Sequence, residues 1–319
     1  MARRIVLPCL ASLLLYWTLF GFVLDRPLSL GLFRDQIESS LARGASIQGR
    51  KLVLIAGSNG PYSHRCETIE PILDIPCVNA GIAVGIGLDY LFARWRPLLR
   101  PGDAVYLPLE EAQYSRPAST LGPDGAIMFR HDRATLATLA PARWAGAAFA
   151  SGPRGVAMSG IETSLVWSGF LDPRAAMGGE RNAWGDRAGH LPSLPGANPG
   201  WLALVVPAHE SPDRVASGAG TATVAAFLRW AGEHGVAVVG GLPAGFADSP
   251  IPAETRAAIA HVFESHGASF IDPGDRARYP RSAFFDSPDH LAEPAQIAHS
   301  RLIAAELALI LAPVRAASR

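Results

Sequence analysis

The sequence predicts an α/β domain, a parallel sheet covered by helices on both faces, preceded by one N-terminal transmembrane helix. Three observations carry this expectation. Short apolar runs end repeatedly on Gly, Pro or Asp; helical patterns alternate with them; and the chain opens on a long uncharged stretch.

In chain order, the opening stretch comes first. After Arg3 and Arg4, "IVLPCLASLLLYWTLFGFVL" (Ile5–Leu24) carries no charge and is long enough to cross a bilayer as a helix. The following "GFVLDRP" offers no small-x-small cleavage site, so an uncleaved anchor is expected. The arginines ahead of it favour a cytoplasmic N-terminus, with the rest of the chain outside. Residues 1–25 are therefore read as cytoplasmic tip and anchor, 26–50 as a linker, and 51–319 as the α/β domain.

Six runs read as strands buried on both faces: Lys51–Gly57, Pro76–Gly81, Asp103–Leu109, Trp201–Pro207, Val236–Pro243 and Ala268–Pro273. Helical patterns occupy Gly87–Leu99, Thr221–Gly235, Pro252–Gly267 and Glu293–Leu311. Pro252 and Pro294 sit where first-turn prolines belong, and Gly235 and Gly267 where C-terminal caps belong. From about 116 to 200 the alternation stops. That stretch is rich in Gly, Pro, Ala and Arg yet holds Trp144, Trp167 and Trp184, and is read as an inserted cap.

Composition narrows the function classes. Lys+Arg 28 balances Asp+Glu 28 among 319 residues, which gives no reason to expect nucleic acid as a partner. With 49% hydrophobic and 18% charged residues the chain can bury a large core. Cys9 lies in the apolar segment. Cys66 and Cys77 flank "ETIEPILDIP", close enough to bridge in an oxidising compartment. Their spacing is too wide for a zinc knuckle even with His64 nearby, so a disulfide is expected and no metal.

In a parallel α/β sheet, ligands bind beyond the carboxyl ends of the strands. Ser58 stands at that edge in "LVLIAGSNGPYSHRC", between Gly57 and Gly60. Turn chemistry alone would explain Gly-Ser-Asn-Gly. Two further segments point to a nucleophile. Asn79 and Gly81 end the second strand, and Asp286 and His290 lie in "FFDSPDHLAEP" before the last helix; a serine nucleophile needs such a base and a group to orient it.

Gly57-Ser58-Asn59, Asn79-Ala80-Gly81, "PGDAVYLPLEEAQY" and Asp286-Ser-Pro-Asp-His290-Leu291, in that order, resemble the SGNH (GDSL-like) hydrolase superfamily, specifically its membrane-anchored bacterial branch. The resemblance covers about Lys51–Tyr114 and the last ~50 residues, not the cap. It implies a flavodoxin-like three-layer sandwich of SGNH type, with no cofactor. Ser58 would attack the acyl carbon, His290 would take its proton, and Asp286 would orient the imidazole, with Asp289 as a rival. Backbone amides at Ser58 and Gly81 would hold the oxyanion, with Asn59, Asn79 and Glu110 around it. The superfamily's third-strand Asn is replaced by "PLEEAQY", which leaves one donor unassigned.

The activity implied is ester hydrolysis or O-acetyl transfer on a cell-envelope polysaccharide through an acyl-serine. The setting implied is a single-pass protein of the inner (cytoplasmic) membrane, its catalytic domain in the periplasm or outside, with a multi-span acyltransferase as a possible partner. The alternative is a non-catalytic glycan-binding or assembly subunit that keeps the fold. Two other patterns carry less. "AGIAVGIG" (Ala80–Gly87) has the look of a dinucleotide loop, but the short-chain dehydrogenases need a Tyr-x-x-x-Lys pair, and Lys51 is the only lysine. Asp186 and His190 around Trp184 are read as parts of an ordered loop, and His209 and Glu210 as residues at a strand end facing the pocket.

Overall fold

The computed structural model describes residues 2–24, 28–116, 125–149, 152–170, 181–194 and 196–317. The cap positions 117–124 and 171–180 and the expected anchor–linker boundary at 25–26 lie outside the described residues. Five strands form one parallel sheet: β1 (Leu52–Leu54), β2 (Cys77–Asn79), β3 (Ala104–Pro108), β4 (Ala237–Gly241) and β5 (Ser269–Ile271), in the order β2-β1-β3-β4-β5. Their apolar side chains are buried on both faces, so the runs carry no alternation. Val53, Ile55, Val105 and Leu107 face one core with Phe92, Phe227 and Phe263; Leu52, Leu54, Ala104 and Tyr106 face the other with Ile303 and Leu307.

The reversal of strand order falls between β1 and β3, where the chain leaving each strand diverges and opens a crevice. At the opposite end of these strands Lys51 is fully buried. Its Nζ donates to Asp103 Oδ2 at 2.6 Å, and its backbone N–H donates to Asp103 Oδ1 at 3.0 Å. The single lysine therefore closes the floor of the sheet and stands away from the chemistry.

Several expectations change. Trp201–Pro207 is not a strand. Asn198 caps a helix over Pro199–Leu204, its side chain accepting from Trp201 N–H, and Pro199 sits in the first turn. Leu204 and Val206 are about 80% exposed (81% and 82%), while Leu202 is buried with Phe246, Phe284 and Leu291, so the run gives one helical face to a small core and the other to the surface. The expected linker is a helix for most of its length. The N-terminal helix α1 (Ala2–Leu24) is followed by α2 (Leu28–Ser46), which buries Ile37 and Leu41 on the domain. Arg43 of α2 donates to Cys77 O and to Glu70. In the cap, helices cover Ala126–His131, Arg133–Leu136, Pro141–Phe149 and Gly152–Trp167, and the last of these runs along α1.

Among the described residues, the helix long and apolar enough to span a membrane is Glu293–Ala312, not the N-terminal one, whose apolar stretch over described side chains is Arg4–Thr18. The C-terminal helix is apolar because it packs on the sheet: Ile303, Ala304, Leu307 and Leu311 are buried against β1 and β3 residues. Cys66 and Cys77 form the expected disulfide, tying the start of α4 (Cys66–Leu73) to β2.

Beneath the sheet lie His64 and His299, both fully buried, 5.0 Å apart between ring centroids. Burial holds the His64 imidazole down to about 4 from an ordinary 6.5. A lowered folded-state value means that the unfolded chain binds the proton first. Stability should thus be full above about pH 6.5 and be lost as pH falls towards 4, by up to about 3 kcal/mol for this group. Urea unfolding at stepped pH should show that slope, and His64→Gln should make it shallower while leaving the shares of the buried His299 and His190.

Candidate active site

The turn after β1 begins at Gly57, and α3 (Asn59–Ser63) starts immediately. Glycine is required where α3 meets the end of β2: a Cβ on Gly60 would stand 2.9 Å from Gly81 Cα, and one on Gly81 would stand 2.8 Å from Gly60 Cα. This backbone contact seats Ser58 at the crevice. Its hydroxyl lies 2.8 Å from His290 Nε2, and His290 Nδ1 lies 2.6 Å from Asp286 Oδ1. Asp286 thus accepts from Nδ1–H, which leaves Nε2 as the acceptor for the serine proton.

Tyr62, one helical turn beyond Ser58, stacks on the imidazole with centroids 3.9 Å apart and planes 5° from parallel. The stack holds the ring plane while the carboxylate sets its tautomer. Burial pushes the Tyr62 phenol up to about 12, so it stays neutral. The loop carrying Asp286 and His290 is fixed from both ends. Ser63 Oγ donates to Asp289 O at 2.7 Å and accepts Leu291 N–H at 3.2 Å, and Phe285 N–H donates to His290 O at 2.8 Å.

The residues expected around the oxyanion are placed differently. Asn59 is buried and its Nδ2 donates to Pro108 O at 2.7 Å, which ties α3 to the end of β3. Asn79 is also a structural clamp: its Nδ2 reaches Gly60 O, His64 O and Asp186 Oδ1, and its Oδ1 accepts Gly81 N–H at 3.2 Å. The Gly81 amide is therefore directed at Asn79. Among the described residues, Ser58 N–H meets no protein acceptor.

Glu110 lies behind the turn, its carboxylate beside Gly57, and lines a second cavity of about 260 Å³ with Asp289, Glu111, His209 and Arg278. Burial pushes both the Glu110 and Asp289 carboxyls up, and the Asp289 charge adds to the effect on Glu110. His209 lines this second cavity, 2.8 Å from Glu111, rather than the serine cavity; Glu210 takes the Ser115 hydroxyl at 2.8 Å.

The cap supplies residues that the sequence marked only as an ordered loop, and others that it did not mark. Asp186 is buried and accepts the first N–H groups of α4, Cys66 at 2.8 Å and Glu67 at 3.0 Å, a helix N-terminal role that fits the ordered-loop expectation. His190 is buried against Tyr62 and Phe285, and burial holds it at about 4, hence neutral near pH 7. Arg181 and Arg187 line the serine cavity, as do Phe33 and Gln36 from α2. No local signal pointed to these. Only Tyr62 was within reach of the sequence, by its one-turn spacing from Ser58 on a helix.

No family model matches this chain, and no curated protein or solved structure matches it.

The two candidate partners of His290 separate cleanly. If Ser58 acts as a nucleophile towards esters, Asp286→Asn should lower their turnover by roughly 10³–10⁴-fold through the wrong imidazole tautomer. Asp289→Asn should change it by less than about tenfold. Steady-state kinetics on an aryl acetate would decide; the reverse order would move the orienting role to Asp289.

Proposed function

We propose that this protein is a serine esterase or O-acyltransferase of SGNH type, acting on an acyl ester of a cell-envelope glycan. The observation that carries the reading is the relay Ser58–His290–Asp286, whose two hydrogen bonds measure 2.8 and 2.6 Å at the carboxyl edge of the sheet. The strand order adds support, since it is the flavodoxin-like order of doubly wound sheets, with the serine at the switch point.

In this reading Ser58 Oγ attacks the ester carbonyl as its proton passes to His290 Nε2, and Asp286 stabilises the imidazolium. The Ser58 N–H donates to the oxyanion. Collapse breaks the carbon–oxygen bond of the leaving alcohol, which takes the proton from His290. Water or a glycan hydroxyl then gives its proton to His290 and attacks the acyl-serine, releasing free acid or a new ester and restoring Ser58. Hydrolase and transferase differ only in which hydroxyl enters. The binding-subunit alternative draws on one observation: Gly81 and Asn59 are committed elsewhere, so the oxyanion has fewer donors than the resemblance implies.

The same proposal places the domain outside the cytoplasmic membrane on a single N-terminal anchor, with a multi-span acyltransferase as a partner implied only by the resemblance. Support comes from α1, whose Ile5, Leu7, Leu14 and Leu15 are each at least 60% exposed (61%, 69%, 70%, 60%), as lipid-facing side chains would be. The disulfide fits an oxidising compartment.

Wild-type protein should label with a fluorophosphonate and turn over aryl acetates, and Ser58→Ala and His290→Ala should each lose at least about 10³-fold in turnover. A wild type that neither labels nor turns over any ester, yet binds glycan, would favour the binding-subunit reading. N-terminal sequencing of the membrane-extracted protein should find residues upstream of Asp25 retained; a start at Asp25 or Arg26 would remove the anchor.

A further inference from the structure

We propose that the serine cavity binds a substrate carrying an anionic group, a sugar carboxylate or a phosphate, which is received by Arg187 with Arg181 beside it. The inference rests on the reading of Ser58 as the reacting group, but its test does not.

The cavity, about 210 Å³, is lined by Ser58, His290, Asp286, Tyr62, Arg181 and Arg187, among others. Arg187 is 6% exposed, yet its Nε and Nη2 meet no hydrogen-bond partner. An ionised side chain so far from water is costly unless it is paired. Arg143, the other arginine buried to this degree among the described residues, is paired, bonding Asp89 at 2.5 Å. The carboxylate nearest in effect to Arg187 is Asp286, whose Oδ1 is bonded to His290.

The guanidinium is also held ready. Its carbon sits 4.4 Å from the centroid of Tyr62, and the Arg187 backbone N–H donates to Pro61 O at 3.0 Å. Stacking fixes the plane of the fork and leaves its edge donors free, an arrangement suited to the two oxygens of a carboxylate or phosphate. Arg181 spends one Nη on Gly81 O at 2.7 Å. Burial and the like charge of Arg187 lower its proton affinity, and the Asp186 carboxylate offsets part of that. An anion received by Arg187 would meet its open donors and offset the charge that the two arginines bring to the cavity wall. Phe33, Ile82 and Phe285 supply apolar wall on which the uncharged body of a sugar or acyl chain can rest.

The test is calorimetric titration of the detergent-solubilised full chain, wild type and Ser58→Ala, with D-glucuronate, methyl phosphate and D-glucose. Saturable binding of an anionic ligand, with glucose at least tenfold weaker, is expected in both proteins. Glucuronate alone would assign the carboxylate, methyl phosphate alone the phosphate. Arg187→Gln should weaken binding at least tenfold and Arg187→Lys less, whereas Arg276→Gln, at an exposed pair with Glu306, should leave it unchanged. Binding that survives Arg187→Gln, or glucose binding as well as the anions, would overturn the proposal. Should Arg187→Gln fail to fold, the anion-to-glucose ratio of the wild type decides alone. Anion binding without any ester turnover by the wild type would sink the esterase reading and keep the anion site; turnover without anion binding would do the reverse.

Discussion

The carboxamide of Asn79 is the constraint on which the site depends. It is fully buried at the end of β2 and reaches in three directions at once: to the carbonyls of Gly60 and His64 at either end of the serine turn and helix, to Asp186 in the cap, and to the Gly81 amide beyond its own strand. A buried polar group of this kind is tolerated only when its partners are all in place. The turn carrying Ser58, the start of the disulfide-tied helix and the cap segment around Trp184 are therefore not independent pieces. Asp186 extends the same network to the first amides of α4, and Trp184 O accepts the Asn79 backbone N–H at 2.8 Å.

That network explains why a short polar sequence around Trp184 belongs to the site despite lying far along the chain. Arg181 and Arg187 flank the anchored tryptophan and aspartate and are carried into the cavity by them. Charge reaches Ser58 from the insertion, and the hydrogen-bonded Ser58, His290 and Asp286 come from the sheet edge. The division matches the general logic of α/β domains, in which a rigid scaffold presents chemistry and loops vary what it meets.

Much of the scaffold was legible in the sequence because it follows from local chemistry. Leu52–Leu54, Ala104–Pro108 and Ala237–Gly241 are β-prone apolar runs closed by turn residues, and such runs have few other stable homes. Ser58, Asp286 and His290 were legible as residue types at strand and helix ends. Trp201–Val206 misled because an apolar run does not say which way its backbone will go; Asn198 and Pro199 decide it, by capping a helix. The α2 segment reads as a linker, yet Ile37 and Leu41 recur at helical spacing and find the core. Arg181, Arg187 and the turned-away Gly81 amide were not legible at all. The two arginines are placed by hydrogen bonds across a hundred residues or more, for which no local period exists, and the Gly81 amide by the rotamer that Asn79 takes to meet those distant partners.

The route taken by α2 has a further geometric meaning. Only three residues separate it from α1, and Phe33 and Gln36 on its second turn already line the serine cavity. A stretch from Leu24 to Phe33 spans at most roughly 20–25 Å. Were α1 held in a bilayer, as proposed, the mouth of the cavity would be leashed to the lipid surface and could not range through the space beyond it. Under the proposed membrane setting, such a tether would confine the cavity to what passes close by the lipid surface, a polymer as it emerges or a carrier still seated in the lipid.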